Sequence, residues 1–210
     1  LQRLTSVKGS ASLGPDSLLA DDLLTLYELL PRLRPAQYPL LPRTDRPLIL
    51  LTDASEEAVL PTGEIGVFLW DPAAAVSYFT ALRLPPAVLA WLQGCKWQKK
   101  YITQYELLAA ACAYTTFPDV VRGRLVHHFL DNFAAYSGLV RGSSNKPHSA
   151  RIINNTHAAV LELGCQPWFG FVYSEDNIAD LPSRGDFWLM WQLGAIFRPC
   201  VLPELNRWLV

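Results

Sequence analysis

The stretch Leu48-Ile49-Leu50-Leu51-Thr52-Asp53 is short, apolar nearly throughout and closed by a carboxylate. An uninterrupted apolar run of this length reads as a central strand, here over 47–53, buried on both faces. A second run, Leu125 to Leu130, is closed by Asp131 and predicts another strand over 124–130. After the first run, Thr62-Gly63 signals a turn. Ile65 to Trp70 and Val76 to Leu82 then read as strands joined across Asp71-Pro72. Three strands in close succession predict an antiparallel meander.

Leu84 to Gln98 is Pro-led and Trp-rich and reads as a short helix and loop. A long helix is expected over 103–116, with Thr103 as its cap and Glu106 three residues on, a capping-box spacing. Helices over 131–140 and 149–163 follow, the second stopped by Gly164, and Pro167 to Ser174 reads as a strand. The order α-β-α-α-β from 103 to 174 predicts parallel pairing with helices on the sheet faces. The expected class is therefore α/β, with a mixed five-stranded sheet of three antiparallel strands and then parallel strands, flanked by helices.

Outside this block, 16–30 reads as a helix with Leu18, Leu19, Leu23, Leu26, Leu29 and Leu30 on its apolar side. Pro31, Pro35, Pro39, Pro42 and Pro47 make 31–46 an extended linker, with a boundary near 46. Residues 186–210 form an aromatic tail containing Phe187, Trp188, Trp191, Phe197 and Trp208. The chain starts at Leu1 rather than Met, as expected of a piece of something longer.

With 210 residues, half of them hydrophobic, the chain can build one sizeable core. Its net charge of −1 gives no overall basic signature, but residues 96–151 hold eight Lys/Arg against Glu106, Asp119 and Asp131, a local +5. A solvated face is the plain reading; beside a carboxylate site, a phosphate-binding surface is the better one. Cys95, Cys112, Cys165 and Cys200 form no C-x-x-C pair, so buried free thiols in a reducing compartment are expected rather than a zinc site. The expected location is intracellular, cytoplasm or nucleus. No apolar run reaches the length of a membrane span.

Asp53, Glu106, Asp131 and Asp180 sit in neighbourhoods that are costly for ordinary carboxylates. Singly, each has a structural reading: Glu106 in a capping box, Asp53 or Asp131 in a turn or cap, Asp180 in a tight turn or at a helix start before Pro182. Jointly they can converge. Four carboxylates about 4 Å apart repel strongly when bare. Two Mg²⁺ ions, with Mn²⁺ as a substitute, balance that charge through hard oxygen ligands.

Thr52-Asp53-Ala54-Ser55, Gln104-Tyr105-Glu106-Leu107-Leu108-Ala109, Phe129-Leu130-Asp131-Asn132 and Asn177-Ile178-Ala179-Asp180-Leu181-Pro182-Ser183-Arg184 resemble, in order, the motifs of the type 1 ribonuclease H domain. The likeness covers about 47–185 and is nearest to domains fused to reverse transcriptases of LTR-type and DIRS-like retroelements. Residues 1–46 look faintly like the tail of an upstream polymerase or connection segment. The resemblance implies a ribonuclease H-like fold and two-metal hydrolysis of the RNA strand of an RNA/DNA hybrid. It implies an upstream reverse transcriptase domain in the same polyprotein as partner.

By motif, Asp53 would bridge both metals, Glu106 and Asp131 would hold the leaving-group metal, and Asp180 the water-activating one. Ser55 and Asn132 would contact the nucleic-acid backbone, and the basic segment adds Lys96, Lys99, Lys100, Arg141 and Lys146 as nucleic-acid contacts. The family's His before the last motif is absent, since that stretch reads Tyr173-Ser174-Glu175-Asp176. The alternative is a catalytically weak or inactive scaffold domain of the same fold. Integrase-like strand transfer ranks low, because integrases place their Glu late and here it comes second.

Overall fold

The computed structural model describes residues 46–56, 63–93 and 100–204, together with a few positions between 20 and 32. The chain divides into two compact units, Leu1–Gln37 and Tyr38–Val210. In the first, Ala20, Leu23, Leu24, Leu26 and Tyr27 are helical, and Leu30–Arg32 is a 3₁₀ turn. The rest of the helix expected over 16–30, and the remainder of the Pro-rich linker, lie outside the described residues.

The second unit is built on β1 (Leu48–Glu56), β2 (Gly63–Asp71), β3 (Val76–Arg83), β4 (Leu125–Leu130), β5 (Gln166–Phe171) and a two-residue β6 (Ile196–Phe197). The sheet order is β5-β4-β1-β2-β3-β6. The β1–β2–β3 meander is antiparallel, while β4 on β1, β5 on β4 and β6 on β3 are parallel. This is the mixed, helix-flanked sheet of the ribonuclease H-like fold, with one edge strand more than the five expected. β1 is buried almost end to end because it has strands on both edges and cover on both faces.

Seven α-helices and a 3₁₀ turn at Ser174–Asp176 complete the described unit, the helices being α1 (Pro86–Gln93), α2 (Ile102–Thr116), α3 (Pro118–Val121), α4 (Phe133–Arg141), α5 (Pro147–Leu163), α6 (Asp180–Ser183) and α7 (Trp188–Gln192). α2 is buried on nearly every side, from Gln104 to Tyr114, and forms the centre of the main core. A helix apolar all round belongs inside. On the opposite face a smaller core joins Leu51, Phe68 and Phe79 to Ala179, Met190 and Ala195. The tail thus supplies cover as well as an edge strand. Val201 N donates to Thr116 Oγ1 (3.0 Å), and Arg198 grips Asp119 while lying over the Tyr78 ring.

Several local expectations change. β1 runs on to Glu56 because its ladder with β2 continues to the pair Glu56↔Gly63, so Asp53 lies inside the strand rather than at its end. Thr103 does not cap α2: Gln104 N and Tyr105 N bond to the Tyr101 carbonyl, which puts Tyr101 at the cap and Thr103 within the first turn. Asp131 does not cap α4 either. Asn132 does so, its side-chain oxygen accepting from Ala135 N at 3.0 Å. Gly164 ends α5 in the left-handed conformation, as expected. Cys112 and Cys165 are free and buried. Among the described residues no helix is long and apolar enough to cross a membrane.

Candidate metal centre

The last β1–β4 pair is Thr52↔Leu130, so one further step along each strand brings Asp53 and Asp131 side by side. α2 packs over β1 and delivers Glu106 to the same point. One carboxylate oxygen from each of Asp53, Glu106 and Asp131 lies within 4.8 Å of the others. Asp53 and Glu106 are each only 3% exposed.

The electrostatic consequence is strong. Burial pushes the Asp53 carboxyl up to about 7, helped by the charges of Asp131 and Asp180 and opposed by the Ser183 hydroxyl and Arg184. Burial likewise raises Glu106 well above the ordinary range, with Asp53 and Asp131 adding to it and a hydrogen bond from the Ala54 backbone opposing. Glu106 Oε2 is buried with no hydrogen-bond partner. A buried carboxylate oxygen without a donor, facing two further carboxylates, fits a hard divalent cation. The donor set is all oxygen, as Mg²⁺ or Mn²⁺ requires.

Asp180 stands at the start of α6, one of the two placements its sequence allowed, and outside that three-carboxylate group. It is paired with Arg184 one turn on, at 2.8 Å. It is nevertheless close enough to raise both Asp53 and Glu106.

The sequence assigned to no residue the role of fixing α6 beside the acids. Asn177 is buried, donates from Nδ2 to the Thr52 carbonyl (3.1 Å) and accepts from Ala179 N (3.2 Å). The Ser183 hydroxyl donates to Asp53, and it also lies 2.9 Å from the Asp180 carbonyl. Ser55 Oγ donates to the Ser183 carbonyl (2.7 Å). Beneath α6 lies Gly66: a Cβ there would sit 2.4 Å from Ser183 N and 2.6 Å from the Ala179 carbonyl. The available signal for Gly66 was an isolated glycine within a strand pattern, which marks close backbone approach.

The other candidates are distributed around this centre. Ser55 is held against α6, and Asn132 caps α4. Lys100, Arg141 and Lys146 are exposed, while Lys96 and Lys99 fall outside the described residues. His128 is fully buried between Thr52 Oγ1 and the Tyr114 hydroxyl (3.0 Å each), and burial pulls its pKa down to about 3. His127 is half-buried on the other side against Trp168, so the two rings part as strand alternation requires.

No family model matches the chain, and no curated protein sequence matches it. Among solved structures it is similar to ribonuclease H1 from the archaeon Halobacterium salinarum, at 15% identity and TM-score 0.46, over 65% of this chain and 94% of that one. LC11-RNase H1 in complex with an RNA/DNA hybrid matches at 13% identity and TM-score 0.46, over 69% and 99%. A foamy viral protease-reverse transcriptase in complex with RNA/DNA hybrid matches at 9% identity and TM-score 0.44, over 72% of this chain and 21% of that one.

Proposed function

We propose that this chain is a metal-dependent endonuclease of the ribonuclease H type that hydrolyses the RNA strand of RNA/DNA hybrids during reverse transcription. On this reading it acts as a domain of a retroelement polyprotein, with the reverse transcriptase domain upstream. The observation that carries the reading is the meeting of buried Asp53 and Glu106 with half-buried Asp131, with Glu106 Oε2 left without a donor. Two Mg²⁺ ions, or Mn²⁺ in their place, held by these three and Asp180, would supply an activated water and stabilise the leaving oxygen. The chain's own part is to hold the acids ready. β1 and β4 set Asp53 against Asp131, α2 brings Glu106, and Ser183 orients the Asp53 carboxylate. Arg184 is paired with Asp180; were Asp180 to hold a metal, the guanidinium would be free to meet a phosphate.

Cleavage of a labelled hybrid by the wild type and by Asp53→Asn tests this. The wild type should cut in Mg²⁺ or Mn²⁺ and the variant at least about a hundredfold more slowly, the order of effect of losing one electrostatic contributor. Millimolar Mg²⁺ should also raise the melting temperature of the wild type, because the ion binds only the folded chain. A wild type no faster than the variant in either metal would sink the reading.

The Asp180–Arg184 ion pair favours a second reading, a catalytically weak scaffold of the same fold in which that acid stays occupied. Arg184→Ala separates the two. A scaffold gains Mg²⁺ binding from the release of Asp180, whereas a working nuclease loses hybrid affinity.

A further inference from the structure

Beside the carboxylates lies a patch of rings that the proposed hydrolysis does not use. Phe171 pairs with Leu130, the residue before Asp131, and Phe133 follows Asp131 by two. Phe133 packs on Tyr136 (5.9 Å) and Phe171 (6.1 Å), Tyr136 on Phe171 (6.4 Å), and Phe171 on Tyr173 (5.7 Å). These four rings form one connected cluster, yet Phe133 and Tyr173 keep 67% and 66% of their surface open. Single exposed aromatics need no explanation, but a contiguous cluster at the rim of a site marks a binding surface.

The occupant follows from what an exposed ring can offer. Within a duplex the face of each base is taken by its neighbours, and only edges and sugars are presented outward. A ring face finds its match in an unpaired base. The same helix supplies an anchor for the backbone. Phe133, Ser137 and Arg141 recur every fourth residue along one face of α4. That places exposed Arg141 about 12 Å along the axis from Phe133. Its Nε bonds to the Ser137 carbonyl at 3.1 Å, which turns it back along this face. Resting on the hydrolytic reading above, we infer that Phe133 and Tyr173 stack unpaired nucleotides where a hybrid gives way to a single strand, with Arg141 on the phosphates. The chain therefore selects junctions between hybrid and single strand over blunt or uninterrupted hybrid.

Fluorescence anisotropy in the non-cutting Asp53→Asn background, with Mg²⁺, tests this. Three probes are compared: a blunt RNA/DNA hybrid, and the same hybrid with an unpaired tail of about four nucleotides, in one arm of DNA and in the other of RNA. Tailed probes should bind at least tenfold tighter than the blunt one. The double variant Phe133→Ala/Tyr173→Ala should bring the affinities together, with a factor of roughly five to a hundred lost per ring. Phe133→Trp should restore the preference, and the melting temperature of each variant reports its folding. Equal binding of tailed and blunt probes by the parent overturns the inference. So does a preference that survives the double variant, or ring substitutions that change only self-association, which would assign the patch to a protein partner. Ring-dependent tail binding with no hybrid cleavage by the chain carrying native Asp53 would leave the platform standing and remove the nuclease.

Discussion

Gly66 lies directly opposite Asp53 in the β1–β2 ladder, and the space left by its missing side chain is filled by the backbone of Ala179 and Ser183. One strand pair therefore holds both an acid of the centre and the seat of the helix that carries Asp180. Gly66→Ala would drive a methyl into main chain that cannot swing aside. The expected cost is about 1–3 kcal/mol in urea unfolding, with Mg²⁺-dependent cleavage falling further than the stability loss explains. A variant with unchanged stability and cleavage would show that α6 is free to move.

Ser183→Ala removes the hydroxyl that donates to Asp53. This bond opposes the upward pull on the Asp53 carboxyl, so its loss should move the acidic limb of the pH–rate profile to higher pH. Stability should fall by about 0.5–1.5 kcal/mol. Ser183→Thr should restore the limb, which a merely structural role would not require.

The metal-free chain should lose stability as pH rises. The folded state keeps a proton on Asp53 up to about 7, whereas the unfolded chain releases it near 3.8. The native state thus binds more protons through that window, and the stability it gains is complete below the lower value and lost on passing the upper. Glu106 acts in the same direction. Urea midpoints in chelator should be lower at pH 8 than at pH 5, with a flatter profile for Asp53→Asn. Mg²⁺ at pH 8 should recover the difference, and at pH 6, where Asp53 still holds its proton, binding should release it. A rising profile in chelator would contradict the burial of these acids.

His128→Leu should cost about 1–3 kcal/mol, since it leaves the buried Tyr114 and Thr52 hydroxyls without their shared partner. Burial keeps the folded ring neutral down to about 3, whereas the unfolded chain takes up that proton near 6.5, so this ring's contribution to wild-type stability should fall as pH drops from 8 to 5 and the cost of His128→Leu should shrink with it. A difference that stays the same between pH 5 and 8 would mean that the folded chain protonates the ring as readily as the unfolded one.

The meander, the parallel pair and the buried helix were legible because each rests on local pattern: apolar runs, the Asp71-Pro72 turn and an apolar stretch around Glu106. The four acids stood out for the same reason, their neighbours being apolar. Individual contacts between distant segments were not legible. Thr103 had the spacing of a cap, yet the Tyr101 carbonyl, set by the incoming chain, decided where α2 begins. β6 is two residues long and exists only because the tail meets β3 there. The bonds from Asn177 to Thr52 and from Ser183 to Asp53 span 125 and 130 residues, and no periodicity reports such contacts.

Those two long-range bonds also set an order of events. Asp53, Glu106 and Asp131 lie within the first 131 residues, while Asn177 and Ser183 come some 50 later. A chain emerging from the ribosome can complete its meander and central helix well before α6 exists. On the proposed reading Asp180 would join the other three acids only when the α6 backbone covers Gly66, so a half-made polypeptide would carry an incomplete centre. The glycine seat would then work as an interlock, in which the centre waits on a stretch of chain made well after its first three acids.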